Sequence, residues 1–310
     1  MSPARVAAGQ SWFSSKAGIG GKRGERPFLL VVPTLAVVLC FTIFPIGYAL
    51  VLSLRHFLLT QPWDTSFVGL RNYWEVITSD YFRASIASTF KFAALAVIGV
   101  LLYGGSVGLL LDTKLWTSRL LQVLILLPWA IPPAIAGIMW KWIFHADYGA
   151  VNGLLVQLGL LKDYFPWLST PSTARICLVI AHVWKEGSLA AVLVLAGLQT
   201  IPRELHDAVL CDGGGPWTYF RHVVVPFLKP TLLVIAIYET MVAVLTFDLV
   251  YVMTGGGPGN ATALVSWYAY VESFRFLNFG HGAALSFTIA AVILVMILVY
   301  LRALRTEEVY

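Results

Sequence analysis

Six long apolar runs decide what this chain can become: Phe28–Leu54, Ile86–Leu111, Leu120–Phe144, Ala174–Leu198, Pro230–Val252 and Ala283–Arg302. Each supplies the ~20 mostly apolar residues that a helix needs to cross the hydrocarbon of a bilayer. Lipid offers backbone groups no partners, so a spanning segment must be a helix or part of a closed barrel. Barrel strands are about 10 residues long and alternate apolar with polar, and these runs do neither. The expected fold is all-α, a polytopic membrane protein with six transmembrane helices. Composition agrees: 58% of the 310 residues are hydrophobic and 12% charged, against about 25% charged in a soluble domain. The first run is long, lacks a small-residue cleavage pattern and follows a basic tail, so it reads as a helix that stays.

Charge sets the expected orientation. Arg5, Lys16, Lys22, Arg23 and Arg26 precede the first run; Lys114 and Arg119 follow the second; Arg203, Arg221 and Lys229 follow the fourth; Arg302 and Arg305 close the chain. These alternate segments hold most of the 21 Lys and Arg. Arg55, Arg71, Arg83, Lys162, Arg175 and Arg275 are spread over the longer loops opposite. The positive-inside bias places both termini in the cytoplasm. It also accounts for the net charge of +5 without a nucleic-acid partner. Cys40, Cys177 and Cys211 form no Cys-x-x-Cys, so neither a disulfide nor a metal centre is expected.

The chain divides into a mobile polar tail (1–26), a first helix with its outer loop (27–85), a helical core (86–302) and a short C-terminal tail (303–310). Trp63, Phe67, Tyr73, Trp74, Tyr81, Trp142, Tyr148, Trp167 and Trp267 lie in outer loops near the membrane ends. They read as an interfacial belt or as surfaces that stack on a sugar ring, and both readings stand at this point.

Segment 199–229 is one of the few polar stretches. Pro202 suits a first helical turn, with Thr200 as its cap. Leu205, Ala208 and Val209 share one face by i, i+3, i+4 spacing, while Glu204, Asp207 and Cys211 lean to another. Gly213-Gly214-Gly215 stops this helix. Pro216 starts a second, with Trp217, Phe220, Val223 and Val224 at helical spacing, which Pro226 and Pro230 should end. The product is a short helix–turn–helix under the membrane.

Three glycines invite comparison with a phosphate loop, which requires G-x-x-x-x-G-K-[ST] after a strand. Gly213–Gly215 has no lysine or hydroxyl in register, and in the tail Arg23 stands where the hydroxyl belongs after Gly21-Lys22. No ATP site is expected on this chain. Gly104-Gly105-Ser106-Val107-Gly108 fits G-x-S-x-G, yet that elbow works only on a strand-to-helix turn. Inside an apolar run the same residues fit the G-x-x-x-G packing pattern. The rival, an intramembrane serine protease, needs a base for Ser106. His281 lies near the other end of the bundle, about 20 Å or more away in depth, and proton transfer needs ~3 Å. His56, His145, His182, His206, His222 and His281 form no H-E-x-x-H and no i, i+4 pair, so they read as loop or packing residues.

Lys185 and Glu186, beside Trp184, sit inside the fourth run. A charge at a helix centre costs about 2.5–3.5 kcal/mol on insertion scales, so such residues face a bundle interior or a water-filled path. Neighbours on a helix point about 100° apart and are not expected to pair with each other. Lining of a translocation path, an ion pair to another helix or to a partner subunit, and snorkelling to the interface are the three readings. Asp248, followed by Tyr251 in the fifth run, reads the same way. TGGGPGNAT (254–262) marks a turn on the opposite face to 199–229.

Residues 204–230, ELHDAVLCDGGGPWTYFRHVVVPFLKP, resemble the EAA loop of binding-protein-dependent ABC importer permeases. The pattern E-A-A-x3-G-x9-I-x-L-P falls on Asp207-Ala208-Val209, Gly213 and Val223-Val224-Val225-Pro226, with intact spacing and Asp in place of Glu. FPIGYALVLSL (44–54), FVGLRNYWEV (67–76), LPWAIPPAIAGIMWKWIFHADYGAVNGLL (127–155), VWKEGSLAAVLVLAGLQTIPRELHDA (183–208) and FDLVYVMTGGGPGNAT (247–262) are similar to the maltose/lactose-type sugar branch. The resemblance covers about residues 28–302. It implies a type I ABC importer transmembrane fold, a second homologous permease, two ATP-binding ABC subunits on the cytoplasmic side and an extracytoplasmic solute-binding protein. ATP and Mg would be bound by the partner ATPases, with no cofactor and no catalysis on this chain. It makes 204–226 a coupling loop, with Glu204, Leu205, Asp207, Ala208, Val209, Asp212, Gly213, Trp217, Phe220 and Pro226 facing the ATPase. Trp184, Lys185, Glu186, Asp248 and Tyr251 are the candidate path residues, and Gly255, Gly256, Gly257, Pro258 and Asn260 the candidate docking turn for the binding protein. The implied solute is a carbohydrate, an oligosaccharide or disaccharide; a polyamine or an anion is the alternative within the same class.

Overall fold

The computed structural model describes residues 27–113 and 118–303. The tail 1–26, Lys114 and residues 304–310 with Arg305 lie outside the described residues. Residues up to Tyr48 form one unit and residues from Ala49 onward another. The first contains α1 (Pro27–Val38), a π-helical turn (Leu39–Ile43) and the start of α2 (Phe44–Ser53). Its apolar side chains are exposed, Phe41 by 78% and Phe44 by 70%, as befits a helix surrounded by lipid or by another subunit.

The second unit continues with α3 (Arg71–Thr78), α4 (Asp80–Asp112), α5 (Ser118–Ala130), α6 (Pro133–Ile143), α7 (Ala150–Gln157) and α8 (Pro171–Leu198). Then come α9 (Arg203–Cys211), α10 (Pro216–Tyr219), a π-helical turn (Phe220–Val224), α11 (Val225–Leu245), α12 (Asp248–Met253), α13 (Val265–Tyr270), a π-helical turn (Val271–Arg275) and α14 (Phe279–Ala303). Among the described residues, five helical stretches are long and apolar enough to cross a membrane: Val31–Ser53, Asp80–Asp112, Pro171–Leu198, Pro216–Leu245 and Phe279–Arg302. The pair α5–α6 makes a sixth if it is taken as one span. Among the described residues the only β-type pairing is two isolated bridges, Arg55 with Phe67 and Leu58 with Asn278.

Three expectations about the helices need correcting. The run Leu120–Phe144 is not straight: it bends by 95° between Ala130 and Pro133. Pro132 lies outside both helices, extended at φ −53° and ψ 137°, and Pro133 opens α6, where a missing N–H costs nothing. The run Pro230–Val252 is likewise interrupted at Thr246 and Phe247, so Asp248 opens a separate short helix instead of lying inside a span. Conversely, Pro226 and Pro230 end nothing. The helix from Pro216 runs on to Leu245, with Pro226 taken up in the first turn of α11 and Pro230 accommodated inside it.

α4 and α8 form the most extensive helix pair. Their contact runs along the small-residue stripe. A Cβ on Gly104 would lie 2.6 Å from Ala190 Cβ, and one on Gly108 would lie 2.9 Å from the Ala191 carbonyl oxygen. Close approach of two membrane helices at small residues is the expected use of this pattern. Ser106, between them, is exposed. An apolar cluster built on Val100, Ala190, Val194, Leu228 and Ile235 fills the end toward α9. A larger one, with Phe92, Leu178, Val250, Trp267 and Leu285, fills the other.

Candidate functional site

The helix–turn–helix forms as the residues dictate, except at its start and at the far end of its second helix, which runs on to Leu245. α9 begins at Arg203 with Pro202 before it and no side-chain cap. Thr200, expected to cap it, instead donates its hydroxyl to the Gly197 carbonyl at 2.8 Å, closing the last turn of α8. At the other end Gly213 takes φ +73°. Its N–H donates to the Leu210 carbonyl at 3.0 Å, and the Gly214 N–H donates to the Val209 carbonyl at 2.8 Å. That is the paired bonding that closes a helix through a left-handed glycine. Pro216 then starts α10.

No residue of α9 or α10 is buried. Leu205 and Val209 turn inward and are half-buried, while Glu204, Asp207, Ala208, Asp212 and Trp217 point away into the open. The Asp207 side chain is 77% exposed, with the His206 ring 3.6 Å from its carboxylate. His206 also stands edge-on to Tyr219, with centroids 5.0 Å apart. Trp217, 69% exposed, stacks on Phe220 at 5.6 Å. Behind the corner an open cavity of about 670 Å³ is bordered by Asp112, Gln199, Arg203, His206, Asp207 and Tyr219. The corner thus presents an exposed carboxylate and an exposed aromatic side chain on one short helix–turn–helix.

The intramembrane charges are arranged differently from expectation. Lys185 and Glu186 do pair with each other, Nζ to Oε1 at 2.9 Å. Their long side chains lean together although their Cα–Cβ bonds diverge, and both are 7% exposed. The ammonium also lies 3.5 Å from the Trp129 carbonyl at the end of α5. There the helix dipole is negative and the carbonyls lack intrahelical partners. One turn earlier His182, read above as a packing residue, meets Glu239 of α11, Nε2 to Oε1 at 2.5 Å. Glu239 is fully buried and was not anticipated. Glu239, one of two carboxylates in the fifth apolar run beside Asp248, and a histidine at i−3 from Lys185 are its only signals in the sequence. Glu186 Oε2 and Glu239 Oε2 are buried without hydrogen-bond partners. Trp184 packs edge-on against Trp140 at 5.6 Å; Asp248 and Tyr251 are exposed.

At the end of the bundle away from α9, the aromatics divide. Trp63, Phe67, Trp74, Trp142 and Tyr148 are exposed, as a belt requires. Trp267 is not one of them. It is 3% exposed, packed among Phe247, Tyr251 and Tyr270, with the Arg275 guanidinium 5.0 Å above its ring. The 254–262 turn bends back over it. Gly255, Gly259 and Asn260 are exposed, Gly257 and Pro258 half-buried, and Gly256 is buried against the Trp267 ring. His281 lies between Glu75 of α3 (3.1 Å) and Glu272 (3.7 Å). Arg71, foremost, and then His281 hold the Glu75 carboxyl below the usual carboxylate range. Ser106 is 26 residues along α4 from Asp80, about 39 Å at 1.5 Å per residue, so no serine–histidine dyad forms with a ring held beside α3.

A family model described as "Binding-protein-dependent transport system inner membrane component" matches residues 101–305. The chain is 36% identical to the trehalose/maltose transport system permease protein of Thermococcus litoralis, over 92% of this chain and 95% of that one. It is 33% identical to the sulfoquinovosyl glycerol transport system permease protein of Agrobacterium fabrum, over 90% of each. In structure it resembles a chain of a bacterial alginate ABC transporter, crystallised in complex with an alginate pentasaccharide-bound periplasmic protein. The TM-score is 0.76 at 19% identity, covering 90% of this chain and 93% of that one.

Proposed function

The chain belongs to the family of binding-protein-dependent transport system inner membrane components, and from that premise we propose that it is the permease of an ATP-driven carbohydrate importer. Its all-α fold is the type I ABC importer fold. Carbohydrate as the solute is supported by the relatives that carry trehalose/maltose and sulfoquinovosyl glycerol in their names. An oligosaccharide or disaccharide fits best.

The observation that carries the reading is the exposed corner 204–226. In the assembled importer it lies in the cytoplasm, as do both termini, and sits in a cleft of one of two partner ATPase subunits. Those subunits bind ATP and Mg; this chain catalyses nothing. Asp207 presents its carboxylate to the ATPase, with Glu204 and Asp212 beside it, and Ala208, Trp217 and Phe220 supply apolar contact. Leu205 and Val209 hold the corner to the body. Gly213, set at φ +73°, and Pro226, at the start of α11, make it a stiff lever. When ATP closes the ATPases, the lever moves this chain against a second, homologous permease. The path then turns from inward- to outward-facing, where a solute-binding protein delivers the sugar. Gly255, Gly257, Pro258 and Asn260 offer the accessible part of that docking turn, with Gly256 shaping it from beneath. Trp184, Asp248 and Tyr251 border the path, and Lys185 and Glu186 lie under it.

The test is reconstitution with partner subunits in vesicles. Asp207→Lys and Gly213→Pro should abolish ATP-dependent maltose uptake and binding-protein-stimulated ATP hydrolysis while the chain still inserts and assembles. Normal uptake in both variants refutes the coupling role.

A further inference from the structure

Two spans are broken, and both breaks meet the same turn of α8. α5 stops at Ala130 and α6 starts at Pro133 after the 95° bend. α11 stops at Leu245 and α12 starts at Asp248. Non-helical backbone at membrane depth persists only where protein or a water-filled cavity satisfies it, so the groups at each break matter. At the first, Lys185 Nζ lies 3.5 Å from the Trp129 carbonyl. At the second, His182 Nδ1 lies 3.5 Å from Thr246 Oγ1, and the Thr246 carbonyl accepts the Ser266 hydroxyl at 2.6 Å. His182, Lys185 and Glu186 stand at i, i+3 and i+4 and share one face of α8.

Beyond the breaks, α6 and α12 pack extensively on each other. Gly137 of α6 allows it, since a Cβ there would come within 3.2 Å of Val252 Cβ on α12. A close-packed pair moves as a block and does not deform continuously. This block is joined to α5 and α11 by two non-helical joints.

We propose that the His182–Lys185–Glu186 turn of α8 is a shared fulcrum, positioning both joints so that α6 and α12 swing as one block. The inference rests on the importer reading, in which the subunit alternates between two states. Lys185 neutralises the carbonyl end of α5, and Glu186, 2.9 Å away, aims it. Glu239 aims His182 at the second joint in the same way. The unpartnered oxygens Glu186 Oε2 and Glu239 Oε2 are spare acceptors for donors uncovered when a joint opens.

The test reads each joint after a change at the other. Amide hydrogen exchange is followed over 128–137 and 244–252 in the assembled importer, nucleotide-free and trapped with ATP and vanadate, beside maltose uptake. Lys185→Met touches the first joint; Thr246→Val removes one hydroxyl at the second and serves if Lys185→Met fails to fold. Each should speed exchange at the opposite joint by about fivefold or more, the low end of measured couplings between sites, with exchange at the α4–α8 contact (100–108) unchanged. A parent that imports maltose, with each variant altering only its own joint, overturns the fulcrum alone. A general loosening that includes 100–108 overturns it in favour of a packing role. A parent complex without ATP-dependent uptake or ATPase stimulation overturns the importer reading and the fulcrum with it.

Discussion

Gly108→Val separates a packing role for the α4 glycines from a catalytic role for the serine between them. Even one methyl at Gly108 would lie 2.7 Å from Val194 Cγ1, 2.8 Å from Val194 Cβ and 2.9 Å from the Ala191 carbonyl oxygen. Carbon atoms prefer about 3.5–4.0 Å, so the overlap is roughly 1 Å. A rotamer change moves Cγ1 but not Cβ or the carbonyl, so α8 itself must retreat along the largest helix interface. Overpacking of this kind costs about 1–3 kcal/mol, and valine returns only a few tenths through better helix propensity than glycine. A net loss of ~2 kcal/mol corresponds to a drop of about 4–8 °C in thermal midpoint at ~2–4 °C per kcal/mol. The assay is thermal unfolding of the assembled complex by intrinsic fluorescence, with Ser106→Ala as the comparison. Ser106→Ala should melt and transport like the parent, because the side chain faces outward. A Gly108→Val complex as stable as the parent, beside a Ser106→Ala complex that assembles but is inactive, would refute the packing argument and revive the serine.

Two further outcomes follow from the opposite end of the bundle. Asn152, fully buried, donates to the carbonyls of His145, Ala146 and Phe165 and accepts from the Phe165 N–H and the Trp167 indole. Asn152→Ala leaves buried groups unpaired at ~1–3 kcal/mol each, and limited proteolysis should cut 144–167 much faster than in the parent. Glu75, whose ordinary value is 4.5, is lowered by Arg71 and then His281. A depressed carboxylate stabilises the fold above its unfolded value and loses that contribution as pH falls through its folded one. Glu75→Gln should therefore flatten the fall in thermal midpoint below about pH 4.5 relative to the parent, and equal slopes would show that the Arg71–Glu75–His281 contact adds nothing.

Much of the molecule is written locally. The length of the apolar runs imposes spanning helices, because lipid forbids any other open backbone. Gly213 and Pro216 impose the corner, because left-handed φ favours glycine and a first-turn proline forgoes no bond. The α9–α10 corner was legible for the same reason: its spacing lies within one short stretch of chain.

What the sequence left open depends on which helices touch. Backbone directions set Lys185 and Glu186 about 100° apart on the helix, but their long side chains converge beside the last turn of α5, whose Trp129 carbonyl lies 3.5 Å from the ammonium. Glu239 finds its partner, His182, 57 residues away, and no periodicity in the sequence links the two. The breaks at Ala130–Pro133 and Leu245–Asp248 carry local marks, Pro132-Pro133 and Asp248, but those marks do not say whether the helix kinks or stops. Whether a helix can stop inside a membrane depends on who receives its freed backbone groups. Here that is decided by one face of α8 and by Ser266, and only the tertiary structure brings them there.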